Sequence, residues 1–222
     1  FVYLVGLMSN NTAIQKMKHL KKILRMAVEE GYISVSPFKM TLKNEQKEVN
    51  PLTLDELRKI KNKNISLPRL AKVRDMFIFE CYTGLAFTDM VNLRSENIVV
   101  DTKGNEWIIK SRQKTKIQST IPLLPIAKEI LMKYQDELPT LTNQKYIGYL
   151  KELGDICGIK KILHSHLARH TFATILLNSG VDMVSVSKIL GHANSRITEK
   201  VYAKMLPETI MKKVMNVQAK LI

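Results

Sequence analysis

Cysteine is scarce in this chain. Only two of its 222 residues are cysteine, Cys81 and Cys157, and no CxxC pair is present. This excludes a disulfide framework and indicates a reducing compartment, so we predict a cytoplasmic location. Cys81 lies in the apolar run DMFIFECY and Cys157 lies near a predicted helix end. We therefore predict that both thiols are buried as small apolar side chains.

Long apolar runs are also missing. The strongly apolar run FVYLVGLM, at residues 1–8, has no basic segment before it. It is far shorter than the ~20 residues that a membrane-spanning helix needs. We therefore expect no membrane partner. Because the chain begins without methionine, we expect it to be part of a longer protein.

Acidic residues are few relative to basic ones. The chain has 20 Asp and Glu against 35 Lys and Arg, which leaves a formal charge of +15 and a pI near 9.8. Such an excess favours a polyanionic partner over a neutral substrate. Nucleic acid is the leading candidate, and an anionic membrane surface is the alternative.

Apolar residues recur at helical spacing over most of the chain. The pattern predicts helices at 12–30, 53–62, 68–82, 87–93, 126–138, 143–157, 166–179, 182–190, 196–205 and 207–221. Between the fourth and fifth predicted helices the period changes, because the runs NIVV, EWIIKSR and QSTIPLL are separated by turn residues. The sequence thus predicts an α+β fold that is mostly helical, with one small three-stranded antiparallel sheet.

One polar segment divides the chain. The stretch SVSPFKMTLKNEQKEVNPL carries two prolines and has no sustained periodicity, so it is typical of a linker. We predict that residues 1–46 are a fragment of a helical domain with its linker, and that residues 47–222 form the main domain. Thr53 and Glu56, at the start of that domain, have the spacing of a capping box.

Titratable side chains are concentrated in HSHLARHTFATILLNSG, residues 164–180, which places three histidines and one arginine in seven positions. We predict Ser165 as the N-cap of a helix, so that His166 and Arg169 lie in its first turn and face the same way. At such a terminus the unpaired N–H groups and the positive end of the helix dipole favour an anion. The sequence therefore predicts a phosphate site here.

Four stretches in fixed order carry a family resemblance. They are SRQKTK with Lys114, HLARHTFAT with His166 and Arg169, LGH with His192, and TEKVYAKM with Tyr202. Together they resemble the catalytic domain of the tyrosine recombinases, also called the phage integrase family, over about residues 47–205. The helix and SPF segment before it resemble the end of the core-binding domain of that family, within residues 1–46.

The resemblance implies a site-specific recombinase that cleaves and rejoins double-stranded DNA through a 3′-phosphotyrosine. It implies that Tyr202 is the nucleophile, His166 its general base and Lys114 the general acid for the departing 5′-oxygen. Arg169 and His192 are implied to stabilise the phosphate in the transition state. It further implies no metal and no cofactor, and a homotetramer on DNA. In the family the segment that matches 207–221 typically docks on a neighbouring protomer, and a helix packed on its own domain is the alternative.

One residue departs from the family pattern. Members usually carry another arginine after TGL, and here that position is Ala86. We predict that Arg112 replaces it, because Arg112 lies two residues before Lys114 and positions i and i+2 of a strand share a face. Arg94 and Arg74 are weaker candidates, since each fits an exposed helical face. The unusual arginine pattern favours an integrase of a mobile element.

Other interpretations stay open beside the recombinase. The chain could be a catalytically weakened DNA-binding module of the same fold, or an enzyme like a type IB topoisomerase, and a metal-dependent nuclease is a more distant third. A zinc site at His166 and His170 is disfavoured, because Leu167 stands where the zinc-protease pattern needs Glu. We predict that His170 is a structural hydrogen-bonding residue, His164 a loop residue and His19 a solvated one.

Overall fold

The computed structural model of the chain describes residues 1–39, 41–45, 50–192 and 194–202. The chain divides into two compact units, Phe1–Glu48 and Val49–Ile222. The predicted helix at 207–221 and the end of the predicted helix at 196–205 lie outside the described residues. No helix in the described part is long and apolar enough to cross a membrane.

The first unit contains two helices and the segment that follows them. The sequence did not predict α1 (Val2–Leu7), whereas α2 (Asn10–Glu29) matches the predicted helix at 12–30. The side chain of Asn11 donates to the carbonyl oxygen of Glu45 at 2.9 Å and accepts its N–H at 2.8 Å, which ties the later segment to α2. His19 is exposed on α2, as predicted.

The second unit is mostly helical. Its described helices are α3 (Leu54–Lys61), α4 (Pro68–Thr83), α5 (Phe87–Val91), α6 (Pro125–Lys133), α7 (Asn143–Cys157), α8 (Ser165–Asn178), α9 (Met183–Ile189) and α10 (Ser195–Tyr202). The central helix is α4, which packs against α3, α6, α7 and α8 and buries most of its length. The thiols of Cys81 and Cys157 are free and buried in this unit, as predicted.

A three-stranded antiparallel sheet in the order β1-β2-β3 lies between α5 and α6 in the chain. Its strands are β1 (Ile98–Val100), β2 (Glu106–Ser111) and β3 (Gln118–Pro122). Ile108 pairs with both Ile98 and Ile121, and Ile108 and Ile121 are buried in the core. The alternation of strands turns Ser119 to the same face, where it contributes to packing against α9. The predicted fold class is confirmed.

Local sequence signals explain where several helices begin and end. The Thr53 hydroxyl accepts the Glu56 N–H at 3.1 Å and the Glu56 carboxylate accepts the Thr53 N–H at 2.7 Å, so the predicted capping box is confirmed. The prediction that α6 continues to residue 138 is wrong. Its helical path ends at Lys133, since Gln135 and Asp136 adopt φ angles of 53° and 63°, in the left-handed region.

Candidate active site

The N-terminus of α8 differs from the sequence prediction by one residue. Ser165 is the first helical residue and not the N-cap. His164 precedes the helix in extended backbone, as the prediction of a loop residue requires. It caps the helix in place of Ser165, because its Nδ1 accepts the backbone N–H of Leu167 at 3.1 Å. An imidazole nitrogen thus satisfies one of the helix-terminal N–H groups. The hydroxyl of Ser165 is left free to bond elsewhere.

A buried carboxylate receives that hydroxyl. Glu80, on α4, is fully buried, and its two oxygens accept the hydroxyls of Ser165 at 2.5 Å and Tyr146 at 2.7 Å. Ser165 Oγ also accepts the backbone N–H of Phe87 at 3.1 Å. These bonds join α4, α5, α7 and the first residue of α8. They fix the end of α8 that carries His166 and Arg169.

This network makes a testable prediction about stability. Burial raises the pKa of Glu80 from its usual 4.5 to about 7, although both hydroxyl bonds oppose the shift. When folding raises the pKa of an acid, the folded protein loses stability as the pH rises from the pKa in the unfolded state to the pKa in the folded state. Glutamine does not titrate, so Glu80→Gln should escape this loss. The difference in the free energy of unfolding, variant minus wild type, should therefore increase by about 3 kcal/mol from pH 4.5 to pH 8. Urea unfolding at several pH values measures this difference.

Glu129→Gln is the matched control, because Glu129 is exposed on α6. Its difference from wild type should stay flat over the same pH range. The histidines of the candidate site titrate in all three proteins and cancel in the comparison. A flat difference for Glu80→Gln would mean that Glu80 keeps an ordinary pKa in the folded protein.

Arg169 joins the ends of two helices. Its side chain is 7% exposed, and its Nη1 donates to the carbonyl oxygen of Gly84 at 2.6 Å while its Nη2 donates to that of Leu190. These carbonyls lie at the C-termini of α4 and α9, where helix carbonyls lack partners and carry partial negative charge. Burial, together with the nearby Arg112 charge, lowers the pKa of Arg169 to about 9, so the guanidinium stays charged at neutral pH.

The LGH stretch forms a Schellman motif at the end of α9. The N–H of His192 donates to the carbonyl of Ser187 at 3.0 Å, and the N–H of Gly191 donates to that of Lys188 at 2.9 Å. Gly191 has a φ of +58°, and a Cβ there would meet Cδ of Arg112 at 2.8 Å. Glycine is therefore required both for the turn and for the close approach of Arg112.

Arg112 lies beside the ends of α8 and α9. Its Nη1 donates to the carbonyl oxygen of Gly191 at 3.1 Å, and its charge acts on Arg169, His166 and His192. Its Nε is buried without a hydrogen-bond partner in the described part of the chain. A buried unpaired donor is rare in folded proteins and suits a site that receives an anion.

Lys114 lies in the turn between β2 and β3, and not on a strand. β2 ends at Ser111, and the turn is closed by bonds from Arg112 N to Ile117 O at 2.9 Å and from Lys116 N to Arg112 O at 2.8 Å. The strand alternation that we used to link Arg112 with Lys114 therefore does not apply here. The buried Asp89 of α5 holds this turn, because its Oδ1 accepts the N–H of Gln113 at 2.9 Å. Lys114 is exposed, and its charge acts on His166.

Tyr202 is buried at the end of α10, with 1% of its surface exposed. Its hydroxyl lies 2.7 Å from Nδ1 of His170, and the two rings meet edge to face with their centroids 5.8 Å apart. Burial raises the pKa of Tyr202, which the charge of Arg169 only partly offsets. The prediction that His170 forms hydrogen bonds is confirmed, but sequence reasoning missed Tyr202 as its partner.

The histidines around these residues are neutral at pH 7. Burial, followed by nearby positive charges, lowers the pKa of His170 and of His192 to about 4 and lowers that of His166. Nδ1 of His192 is 2.7 Å from the hydroxyl of Thr198, which fixes the orientation of that ring. Within the described ranges, no group of three or more His, Cys, Asp or Glu side chains could hold a metal ion.

The structure brings the six predicted site residues to one region, but not all into contact. Arg112, Lys114, His166, Arg169 and His192 are linked by their mutual charge effects, and Tyr202 is linked to Arg169 in the same way. Sequence reasoning missed the supporting residues Glu80 and Asp89. A carboxylate inside an apolar helical run was the only available signal for Glu80.

The two other candidate arginines are engaged elsewhere. Arg74 donates to Asp75 and to the carbonyl oxygen of Lys63 at 2.7 Å, and Arg94 donates to the carbonyl oxygen of Leu93 at 2.8 Å. The charges that act most on Arg169, His166 and His192 include that of Arg112 and neither of these two. Arg112 is therefore the arginine that the fold places beside Arg169.

Comparisons with known proteins agree with this arrangement. The profile described as "Phage integrase family" matches residues 50–208, and the "Phage integrase SAM-like domain" profile matches residues 2–47. Tyrosine recombinase XerC of Thermodesulfovibrio yellowstonii is 27% identical over 217 residues, covering 86% of this chain and 70% of that protein.

Two solved structures have the same fold. A lambda integrase dimer bound to a COC′ core site aligns with a TM-score of 0.71 at 18% identity, covering 89% of this chain and 75% of that one. The Tn1549 transposon integrase in complex with a circular intermediate DNA aligns with a TM-score of 0.67 at 20% identity, covering 88% and 75%. Since the family profile spans most of the chain, the chain belongs to the phage integrase family, the tyrosine recombinases.

Proposed function

We propose that this chain is a site-specific DNA recombinase that cleaves and rejoins DNA through a 3′-phosphotyrosine. The observation that carries the proposal is the meeting of Arg169, Arg112 and His192 at the ends of α8 and α9, next to the buried hydroxyl of Tyr202. These side chains offer donors to the non-bridging oxygens of a phosphate. The buried, unpaired Nε of Arg112 supports the same role.

In the first step Tyr202 Oη attacks the scissile phosphorus. A phosphorus–tyrosine bond forms as the bond to the 5′-oxygen breaks, which leaves a 3′-phosphotyrosine and a free 5′-hydroxyl. Burial raises the pKa of Tyr202, so little phenolate is present and a base must take the proton. His166, whose pKa burial and the neighbouring charges lower, is neutral at pH 7 and takes this proton.

The departing 5′-oxygen takes a proton from Lys114, which stands exposed in the β2–β3 turn. Arg169 and Arg112 stabilise the charge that builds up on the phosphate in the transition state, and His192 donates to the same oxygens. A 5′-hydroxyl of another strand then reverses the chemistry and releases Tyr202. Because the number of phosphate ester bonds is conserved, the reaction needs neither a metal nor a nucleotide cofactor.

The partner in this proposal is double-stranded DNA. The net charge of +15 supports a polyanionic partner, and the Tn1549 transposon integrase was solved in complex with a circular intermediate DNA. Residues 1–46 act as the end of a core-binding domain and residues 47–222 as the catalytic domain. The chain works as a homotetramer on DNA in the cytoplasm, and it serves the integration and excision of a mobile element.

A covalent-trapping assay tests the proposal. A duplex carrying a site recovered by binding selection is nicked next to the cleavage point, so that the released 5′-end diffuses away and the adduct accumulates. The full-length protein is incubated with this duplex in EDTA, and the denaturation-resistant adduct is digested and mapped by mass spectrometry. We expect one phosphotyrosyl peptide, joined to a DNA 3′-end at Tyr202.

Other outcomes identify the alternatives. Binding without any adduct would indicate a DNA-binding module that lacks the chemistry. Equal relaxation of supercoiled plasmids with and without the selected site would indicate a type IB topoisomerase. Cleavage that stops in EDTA and leaves no adduct would indicate a metal-dependent nuclease.

A further inference from the structure

Tyr202 belongs to α10, and the place where its hydroxyl contacts α8 is the observation that goes beyond the proposed chemistry. The hydroxyl contacts Nδ1 of His170 at 2.7 Å, whereas its proposed base, His166, belongs to the first turn of α8. His170 follows His166 by four residues, which is about 6 Å along a helix axis. The hydroxyl is therefore hydrogen-bonded to a residue that lies one helical turn along α8 from its proposed base.

We propose that His170 is a positioning residue that holds the Tyr202 hydroxyl in a resting place inside the protein, and that this bond is released when DNA engages. The inference rests on the proposed function, in which Tyr202 is the nucleophile. It assigns His170 to the control of nucleophile access. A separate residue, His166, takes the proton during attack.

The direction of the hydrogen bond follows from the surroundings. A neutral imidazole has one donor nitrogen and one acceptor nitrogen. Burial lowers the pKa of His170 to about 4, and burial raises the pKa of Tyr202, so at pH 7 the ring is neutral and the phenol keeps its proton. The phenol therefore donates to Nδ1. The bond favours the protonated and unreactive form of Tyr202.

The burial of Tyr202 gives this resting place a measurable property. With 1% of its surface exposed, Tyr202 should resist a water-borne tyrosine reagent such as tetranitromethane when no DNA is present. Tyr146 is buried to the same extent, and its hydroxyl is held by Glu80. Its reactivity therefore reports whether a variant remains folded, while exposed Tyr3 reports reagent activity.

Nitration of each tyrosine, measured by mass spectrometry, tests the proposal in wild type, His170→Phe, His170→Gln and His170→Asn. Phe keeps a ring but cannot accept the bond, and Gln carries its polar atoms near Nε2 and not Nδ1. Both variants should raise the nitration rate of Tyr202 at least tenfold and leave Tyr146 unchanged. Asn places an acceptor near Nδ1, so it should restore protection to within threefold of wild type.

Two results would overturn the proposal. One is a Tyr202 nitration rate within twofold of wild type in His170→Phe and His170→Gln. The other is equal deprotection in His170→Asn and His170→Gln, since a purely structural role would not distinguish these amides. If Tyr146 is also exposed in the Phe variant, the comparison of Gln with Asn decides.

The nitration assay needs neither DNA nor cleavage, so its failure is distinct from failure of the proposed function. An adduct at Tyr202 with unchanged nitration would reject only the resting place. If Tyr202 is protected from nitration only when His170 is present, but the trapping assay gives no adduct, Tyr202 is rejected as the nucleophile. The contact between His170 and Tyr202 would still be supported. Addition of the selected duplex to wild type should raise Tyr202 nitration, because the bond is then released.

Discussion

Replacing Tyr202 by Phe is expected to abolish the covalent adduct with DNA, lowering its rate at least a thousandfold. The substitution removes one oxygen, the atom that bonds to phosphorus, and the charge of Arg169 acts on the hydroxyl that carries it. Loss of the nucleophile in enzymes of this kind costs about a thousandfold or more even when binding survives. The measurement is the denaturation-resistant adduct on the nicked duplex, in EDTA, with DNA binding followed by gel shift.

Tyr3→Phe is the matched control, because Tyr3 is 78% exposed and also loses only a hydroxyl. It should form the adduct at the wild-type rate. The Tyr202→Phe variant should bind the duplex within about threefold of wild type, since phosphate contacts come from basic side chains. An adduct that persists in Tyr202→Phe would show that another residue attacks the DNA.

Replacing Arg112 by Ala is expected to slow adduct formation by a hundredfold to a thousandfold. Removing one preorganised donor from a charge-stabilising site costs roughly 10² to 10³ in rate, or about 3–4 kcal/mol of barrier. Arg112 meets that description, because its Nη1 is held by the carbonyl of Gly191 and its buried Nε has no partner in the described part of the chain. Arg112→Lys should recover only part of the loss, since lysine keeps the charge but not the fork of donors.

Arg94→Ala is the control for net charge. Arg94 is exposed and its guanidinium donates to the carbonyl of Leu93, so the loss of its side chain should change the rate by less than threefold. Urea unfolding of the Arg112 variants tests whether the packing of the side chain against Gly191 matters for stability. Equal losses of rate for Arg94→Ala and Arg112→Ala would mean that long-range charge, and not a local clamp, explains the effect.

Local signals in the sequence predict much of this fold. Capping residues such as Thr53, apolar periodicity and turn residues act over a few positions, and each is readable without the partner elements. The helix at 143–157 and the three strands were placed correctly for this reason. The end of α6 was missed because the left-handed residues Gln135 and Asp136 are not glycines.

The candidate site is harder to derive, because its geometry depends on distant segments. Arg169 depends on Gly84 and Leu190, which are 85 and 21 positions away. The choice of His164 over Ser165 as N-cap depends on Glu80, whose carboxylate takes the serine hydroxyl. The spacing of residues within one stretch of sequence indicates these side chains as candidates, but it does not show which hydrogen-bond partner each one has in the fold.

The arginines of the site are oriented without being neutralised. Arg169 and Arg112 are held by main-chain carbonyls of Gly84, Leu190 and Gly191, and in the described part of the chain neither forms an ion pair. Dipoles at helix ends fix direction but leave the full charge in place. The charge of Arg112 acts against that of Arg169 more strongly than Asp89 offsets it, so the two cations repel each other in the folded protein. A phosphodiester bound between them would relieve this repulsion. The repulsion lowers the stability of the folded protein, and its relief adds to the free energy of DNA binding.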